Sequence, residues 1–266
     1  VTELLQLNFR RRIQALLWGR RLLWGAGIVA VLYWRTGWAL FSAIAIGVVL
    51  GGALKAWEMS SRRQFVREAT FPRFLGAKLR AAYPQLQERD TDLVLRGLRQ
   101  FFMAHLRSDR KFVAMPSKLV DAAWHEFILH TQGYQRWCAA AFGGLLHHTP
   151  AEVLGRDARR NDGLRRTWYW TCKEESIDPR APTRLPLLFA LDAKFGVEGG
   201  FRYVPDCKDI DRQAGSDTHC GSSFGDSSDG SSGDSGSFGG SNESGGGDGG
   251  GDGGSGCGGG CGGGGD

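Results

Sequence analysis

The chain of 266 residues carries 33 Lys and Arg against 28 Asp and Glu, a net charge of +5. That modest sum hides a division: residues 1–212 hold every Lys and Arg and are +13, whereas 213–266 are −8, with His219 the one residue of basic type. Six scattered cysteines (138, 172, 207, 220, 257 and 261) with no C-x-x-C pair exclude a secreted disulfide scaffold, a zinc ribbon and a thioredoxin-like motif; in a cytosolic body they would be free thiols.

Residues 1–21 form a basic N-terminus, with Arg10, Arg11, Arg12, Arg20 and Arg21. Two apolar runs follow, LLWGAGIVAVLYW (22–34) and WALFSAIAIGVVLGGAL (38–54), joined by Arg35-Thr36-Gly37. The second run spans roughly 26 Å as a helix, the short end of a membrane crossing. The first reaches that length only if Trp18 to Arg21 lie at headgroup level with their arginines snorkelling. Trp34 and Trp38 at one level, with Trp18 and Trp57 at the other, make aromatic belts. The expectation is a transmembrane helical hairpin over 22–57. Basic residues crowd both flanks and only Arg35 lies in the connection, so both termini are expected in the cytoplasm of a multi-pass protein of the cell (inner) membrane. A cleaved signal peptide is disfavoured, because the first run continues straight into a second.

Residues 58–73 then read as a basic juxtamembrane linker lying against anionic lipid headgroups. From 74 to 212 the pattern is that of a helical domain. Leu95, Leu98, Phe102 and Leu106 recur at helix spacing after Asp90-Thr91-Asp92. A second helix begins near Pro116-Ser117 and carries Leu119, Val120, Ala123, Trp124, Phe127 and Ile128. A third, set off by Gly133, carries Tyr134, Trp137, Cys138, Ala141 and Phe142. Thr149-Pro150-Ala151-Glu152 predicts another helix start. Leu164–Glu175 and Pro186–Lys194 read as helices and Gly196–Val204 as extended. Arg159, Arg160, Arg165 and Arg166 read as a solvated helix surface. Asp192 reads as a helix-surface residue or cap rather than an acid catalyst. The tail, 213–266, holds 24 glycines and almost nothing apolar beyond Phe224 and Phe238, so it is expected to be disordered. Its Cys257-x-x-x-Cys261 reads as part of a solvated segment. The fold class is all-α: a membrane hairpin, a cytosolic multi-helix domain and a disordered Gly-rich tail.

Chemistry concentrates in Met115–Pro150, which holds four of the six histidines and Cys138. WHEFILH at 124–130 superficially resembles the zinc-protease helix H-E-x-x-H. That helix needs histidines at i and i+4 to share a face. His125 and His130 are five apart, about 140° out of register at 100° per residue, and the protease reading fails. Asp121 does share the His125 face, one turn earlier, and can fix its ring tautomer as a carboxylate behind a metal ligand does. Cys138 lies on a core-like stripe with Tyr134 and Phe142. His147 and His148 follow Gly143-Gly144 on a turn, from which one of them could close on His125. The site residues are thus His125, His130, Cys138, His147 and His148 as ligands of a transition metal such as zinc, with Asp121 behind them and Tyr134 as a further donor.

Pro116, Asp121, Trp124-His125, Tyr134, Cys138, Phe142-Gly143 and His147-His148 together resemble the glycine-rich domain-containing protein-like family of plants and bacteria. The likeness continues through Trp168, Cys172, Glu175, Ile177-Asp178-Pro179 and 185–193, covering roughly 95–207, and the tail is similar to those that give that family its name. The resemblance implies a helical fold and these positions, without a reaction. Many members look like Trp-His-x-His, whereas position 127 here is Phe, which removes that second histidine.

No nucleophile elbow, phosphate loop or regularly spaced metal motif closes a catalytic set. The leading expectation is therefore a non-catalytic, membrane-anchored interaction or scaffold protein. Its partners are the lipid bilayer and an unidentified protein. A metal- or thiol-dependent site at 125–148 is the alternative. Nucleic-acid binding is weaker still, since the basic residues cluster beside the apolar segment and no DNA- or RNA-binding motif is present.

Overall fold

A computed structural model describes residues 2–33, 37–149, 158–206 and 218–224. The protein is mostly helical with little strand, as expected, and eight α-helices lie among the described residues. Two long helices, α1 (Thr2–Tyr33) and α2 (Gly37–Glu68), run side by side. Phe9 meets Phe65 edge-on, and Leu23 approaches Gly51, so the pair is antiparallel.

The apolar end of this pair projects away from the rest. Trp24, Ile28, Phe41, Val48 and Val49 all stand exposed. Among the described residues one helix, Phe41–Glu68, is long and apolar enough to cross a membrane. One such helix does not fit the multi-pass inner-membrane arrangement with two cytoplasmic termini expected above, and that expectation is corrected. The reason lies in α1, where five arginines reach as far as Arg21. The apolar stretch from there to Tyr33 would span about 18 Å, well short of a hydrocarbon core of about 30 Å.

The other end of α2 is part of a packed core. Residues 58–68, read above within a linker, continue the helix, and Arg62, Phe65 and Val66 are buried. Glu58 pairs with Arg62 at 2.9 Å and with Arg20 of α1 at 3.1 Å. The Arg62 guanidinium donates onward to the carbonyls of Ala139 and Ala140, the last turn of α6 (Thr131–Phe142). Gly143, at φ +81°, ends that helix in the left-handed conformation, and a Cβ there would meet Arg62 Nη2 at 3.2 Å.

Helix α3 (Phe74–Ala82) leads to α4 (Glu88–Arg107), the central helix, which packs on α2, α3 and three of the helices that follow. It starts two residues before Asp90, whose carboxylate accepts from the Gln87 N–H as the third residue of a capping box. Its stripe of Val94, Leu98, Phe101, Phe102 and Leu106 is fully buried. Ser117 caps α5 (Lys118–Leu129), accepting from Val120 N–H at 3.1 Å. The break before α6 falls at His130 rather than Gly133. The glycine lies in the first turn of α6, where a Cβ would strike the His130 ring at 2.1 Å. Trp137, Phe102, Phe127, Phe71 and Phe65 interlock where α2, α4, α5 and α6 meet.

Helix α7 (Ala158–Glu174) and α8 (Leu187–Lys194) close the domain. Arg165 is buried and Arg166 donates to the Phe112 carbonyl, so these two are structural rather than a solvated basic face. Glu175 accepts from Leu187 N–H and Gln100 Nε2 at the start of α8. Burial alone would raise its carboxyl; these hydrogen bonds and Arg184 outweigh it and hold it below the usual range. A short parallel pair, β1 (Arg202–Val204) and β2 (Thr218–Cys220), follows, and a 3-10 turn at Ser222–Phe224 seats Phe224 against Trp168, Phe189 and Tyr203. Residues 218–224 therefore belong to the folded domain, although the sequence reads as tail from 213. Cys220 is disulfide-bonded, which corrects the expectation of free thiols throughout; Cys138 and Cys172 are free and buried. Residues 150–152 of the helix start expected at Thr149–Glu152, and the segment 225–266 with Cys257 and Cys261, lie outside the described residues.

Asp192, at 2% exposure, is the buried carboxylate on which α5 rests. It accepts from Ser117 Oγ (2.6 Å), Lys118 N–H (2.8 Å), Leu119 N–H (3.1 Å) and Phe201 N–H (3.0 Å). It is a cap, as the sequence allows, but for a helix more than seventy residues earlier. Asp192→Ala strips four donors of their acceptor and is expected to cost about 3 kcal/mol. A denaturant titration should show this as a lower midpoint at unchanged slope, with Asp192→Asn intermediate. A wild-type midpoint for the alanine variant would contradict the assignment.

Candidate functional site

The site grows from α5. With its first turn fixed by Asp192, residues Asp121 and His125 lie one turn apart on one face, and His125 Nδ1 is 3.4 Å from Asp121 Oδ2. The chain leaves α6 at Gly143, turns, and comes back across α5. Tyr134 guides that return: its hydroxyl accepts from Trp124 Nε1 at 3.0 Å and donates to the Leu146 carbonyl at 2.5 Å. Two residues on, the His148 ring packs edge-on against Trp124 with centroids 4.6 Å apart, and its Nε2 lies 2.8 Å from Asp121 Oδ1. The two imidazoles are 4.2 Å apart between centroids. One ligand atom from each of Asp121, His125 and His148 lies within 4.8 Å of the others. Half the His125 side chain is exposed and His148 is largely covered, so the cluster opens on one side only.

The remaining residues singled out in the sequence lie elsewhere. Cys138 is fully buried among the core aromatics, and burial pushes its thiol up, away from the thiolate a metal would need. His130 sits at the α5–α6 junction with its ring edge-on to Phe74 at 5.3 Å. His147 faces a neighbouring cavity without joining the cluster. Tyr134, buried with its hydroxyl pushed up, is a neutral donor that holds the loop in place. Of the two adjacent histidines, then, it is His148 that closes on Asp121 and His125.

Asp121 also lines that cavity, which holds about 260 Å³ between α5, the 112–115 segment, the 146–149 loop and Phe201. Its walls include Phe112, Met115, Trp124, Leu146 and Phe201, with Lys118 at the rim one turn before Asp121. Sequence reasoning missed Lys118 and Phe201. The i, i+3 spacing of Lys118 and Asp121 is the signal that could have found the first; Phe201 is brought in by the Asp192 carboxylate, which nothing local announces.

His105 forms part of the same wall. Burial drives its pKa down to about 4, with a hydrogen bond to the Lys111 carbonyl opposing the shift and Arg110 adding to it. The ring is therefore neutral near pH 7, and Nδ1 carries the proton it donates to that carbonyl at 3.1 Å. A histidine with a lowered pKa in the fold makes stability fall with pH. Below about 6.5 the unfolded chain takes up a proton that the fold refuses, and the loss is complete near pH 4, at ~3 kcal/mol. Unfolding midpoints of wild type and His105→Gln measured from pH 7 to 4 should diverge, with the variant flatter. Parallel curves would contradict this reading; the loss from Glu175 is common to both proteins and cancels.

The family described as UCP032817-like, an uncharacterised family, matches residues 61–224, more than half of the chain and the whole region that forms the site. The resemblance to the glycine-rich domain-containing family drawn from the sequence is thereby corrected: nothing indicates that family. Four of the positions that carried the likeness, Trp124, Tyr134, Cys138 and Phe142, are buried helix positions that pack a helical core, and residues 225–266 of the glycine-rich tail lie outside the matched region. No curated protein and no solved structure matches the chain.

Proposed function

The chain belongs to the UCP032817-like family, and we propose that in this member the helical domain is a divalent-metal-binding module whose ligands are Asp121, His125 and His148. The observation that carries this reading is the convergence of two imidazoles and a carboxylate from two separate parts of the chain. Three such ligands leave a fourth position for water or substrate, the arrangement of reactive rather than structural zinc sites. In a tetrahedral site with bonds of about 2.0–2.1 Å, ligand atoms lie about 3.3 Å apart. His125 Nδ1 stands 3.4 Å from Asp121 Oδ2 and His148 Nε2 2.8 Å from Oδ1, and with one atom from each residue the three donors lie within 4.8 Å of one another, so side-chain adjustment brings them to that spacing. Trp124 and Tyr134 hold the His148 loop to α5, which supports a preformed site. Zinc is the first candidate on ligand type, two imidazoles with one carboxylate. Cys138 takes no part in this reading.

A second reading, compatible with the first, concerns attachment. The exposed apolar length of α2, with α1 beside it, supports a membrane anchor, and the arginines and lysines near its base support contact with anionic headgroups. The acidic, glycine-rich sequence of 225–266 supports an interaction with a protein partner. The chain on this view presents a metal site at a membrane surface. Nucleic acid remains the weaker partner, because the basic residues named above flank the apolar helix.

Metal content of chain purified without a histidine tag tests the first reading. One equivalent of zinc per chain is expected, with affinity at least about a hundredfold weaker in His148→Ala and about tenfold weaker in Tyr134→Phe. Zinc content unchanged in His148→Ala would overturn it. For the second, the full chain should float with vesicles containing anionic lipid, and Ile46→Arg with Val49→Arg should stay in the soluble fraction. Flotation indifferent to these charges would contradict the anchor.

A further inference from the structure

The cavity beside the cluster has a ligand chemistry of its own. Its volume of about 260 Å³ lies just below the ~300–1,000 Å³ of sites for drug-sized molecules, so it suits a fragment about one ring in size. Phe112, Met115, Trp124 and Phe201 make its walls apolar and mostly aromatic. Two charged residues line it. Asp121 is held between His125 and His148, and Lys118 lies one turn away on the same face of α5. The Lys118 ammonium donates to the Glu198 carbonyl at 3.3 Å and has no carboxylate partner among the described residues. The N–H groups of Lys118 and Leu119, which would otherwise draw an anion, are satisfied by Asp192. Among the described residues, Lys118 is thus the cation at the mouth that remains to meet a ligand. A cationic ligand would face it, and a purely apolar one would leave the ammonium unanswered; among the residues that line the cavity, Asp121 is the one shared with the cluster.

We propose that this cavity binds a small aromatic carboxylate. The ring is sandwiched by Phe112, Trp124 and Phe201, and the carboxylate lies between the Lys118 ammonium and the metal held by Asp121, His125 and His148. The assignment rests on the metal reading above. It extends that reading by naming what occupies the fourth position and which residue selects it.

Phenylacetate is the probe, titrated calorimetrically into the zinc-loaded full chain. Saturable one-to-one binding is expected. Acetate, which lacks the ring, and 2-phenylethanol, which lacks the charge, should each bind at least about tenfold more weakly, as should phenylacetate on Lys118→Met. The substitution changes an exposed side chain and keeps the backbone N–H on Asp192, and a wild-type unfolding midpoint confirms the fold. Equal affinity of Lys118→Met and wild type, or of acetate and phenylacetate, overturns the proposal. Zinc content of the same samples separates the failures. A chain that holds zinc and does not bind phenylacetate overturns the ligand assignment alone, and a chain that holds no zinc overturns both.

Discussion

One buried carboxylate positions the helix on which the site is built. Asp192, from α8, satisfies the first turn of α5 and the Phe201 N–H at once. A carboxylate at a helix N-terminus also meets the positive end of the helix dipole, so the arrangement is favourable twice over. It fixes where α5 starts, and the helix repeat then fixes where Asp121, Trp124 and His125 point. It also draws Phe201 to the edge of the cavity. The site is thus assembled by a contact outside it, between the C-terminal part of the domain and a helix near its middle.

A second charged contact joins the projecting helix pair to that domain. Arg62 holds Glu58 on its own helix while donating to the last carbonyls of α6, and Glu58 reaches Arg20 on α1. The exposed apolar helices and the helix that precedes the His148 loop therefore share one hydrogen-bonded unit. A buried ion pair of this kind is weak evidence for net stability but strongly penalises rearrangement that leaves one partner alone. The orientation of the site relative to the apolar segment is set here, through an arginine that is fully buried.

Local regularities were legible in the sequence. The α4 positions Leu98, Phe102 and Leu106, the start of α5 near Ser117 and the shared face of Asp121 and His125 follow from helix periodicity and start signals alone, whereas Leu95 of the expected stripe is only half-buried. So does the separation of His125 from His130, because a helix turns 140° too far between them. Cys138 follows the same rule, since its stripe with Tyr134 and Phe142 packs inward. What failed to read were contacts that depend on chain reversals. Which histidine of the 147–148 pair turns inward depends on the left-handed Gly143 and on Tyr134 reaching the Leu146 carbonyl. The return of 218–224 onto the domain was hidden by composition: a strand of three residues and one phenylalanine are too short to stand out in a glycine-rich segment. The arginines of α1 misled in another way, since aromatic belts and flanking charge suggested two crossings where, among the described residues, one helix meets the length requirement.

The proposed metal ligands are two imidazoles and one carboxylate, with no sulfur. X-ray absorption at the zinc edge of the loaded chain reads that ligand set directly. Ligation by Asp121, His125 and His148 predicts a first shell of nitrogen and oxygen at about 2.0–2.1 Å with imidazole scattering from two rings, and no scatterer at about 2.3 Å. A sulfur shell at that longer distance would place Cys138 at the metal and rule this ligand set out, as would a shell without imidazole.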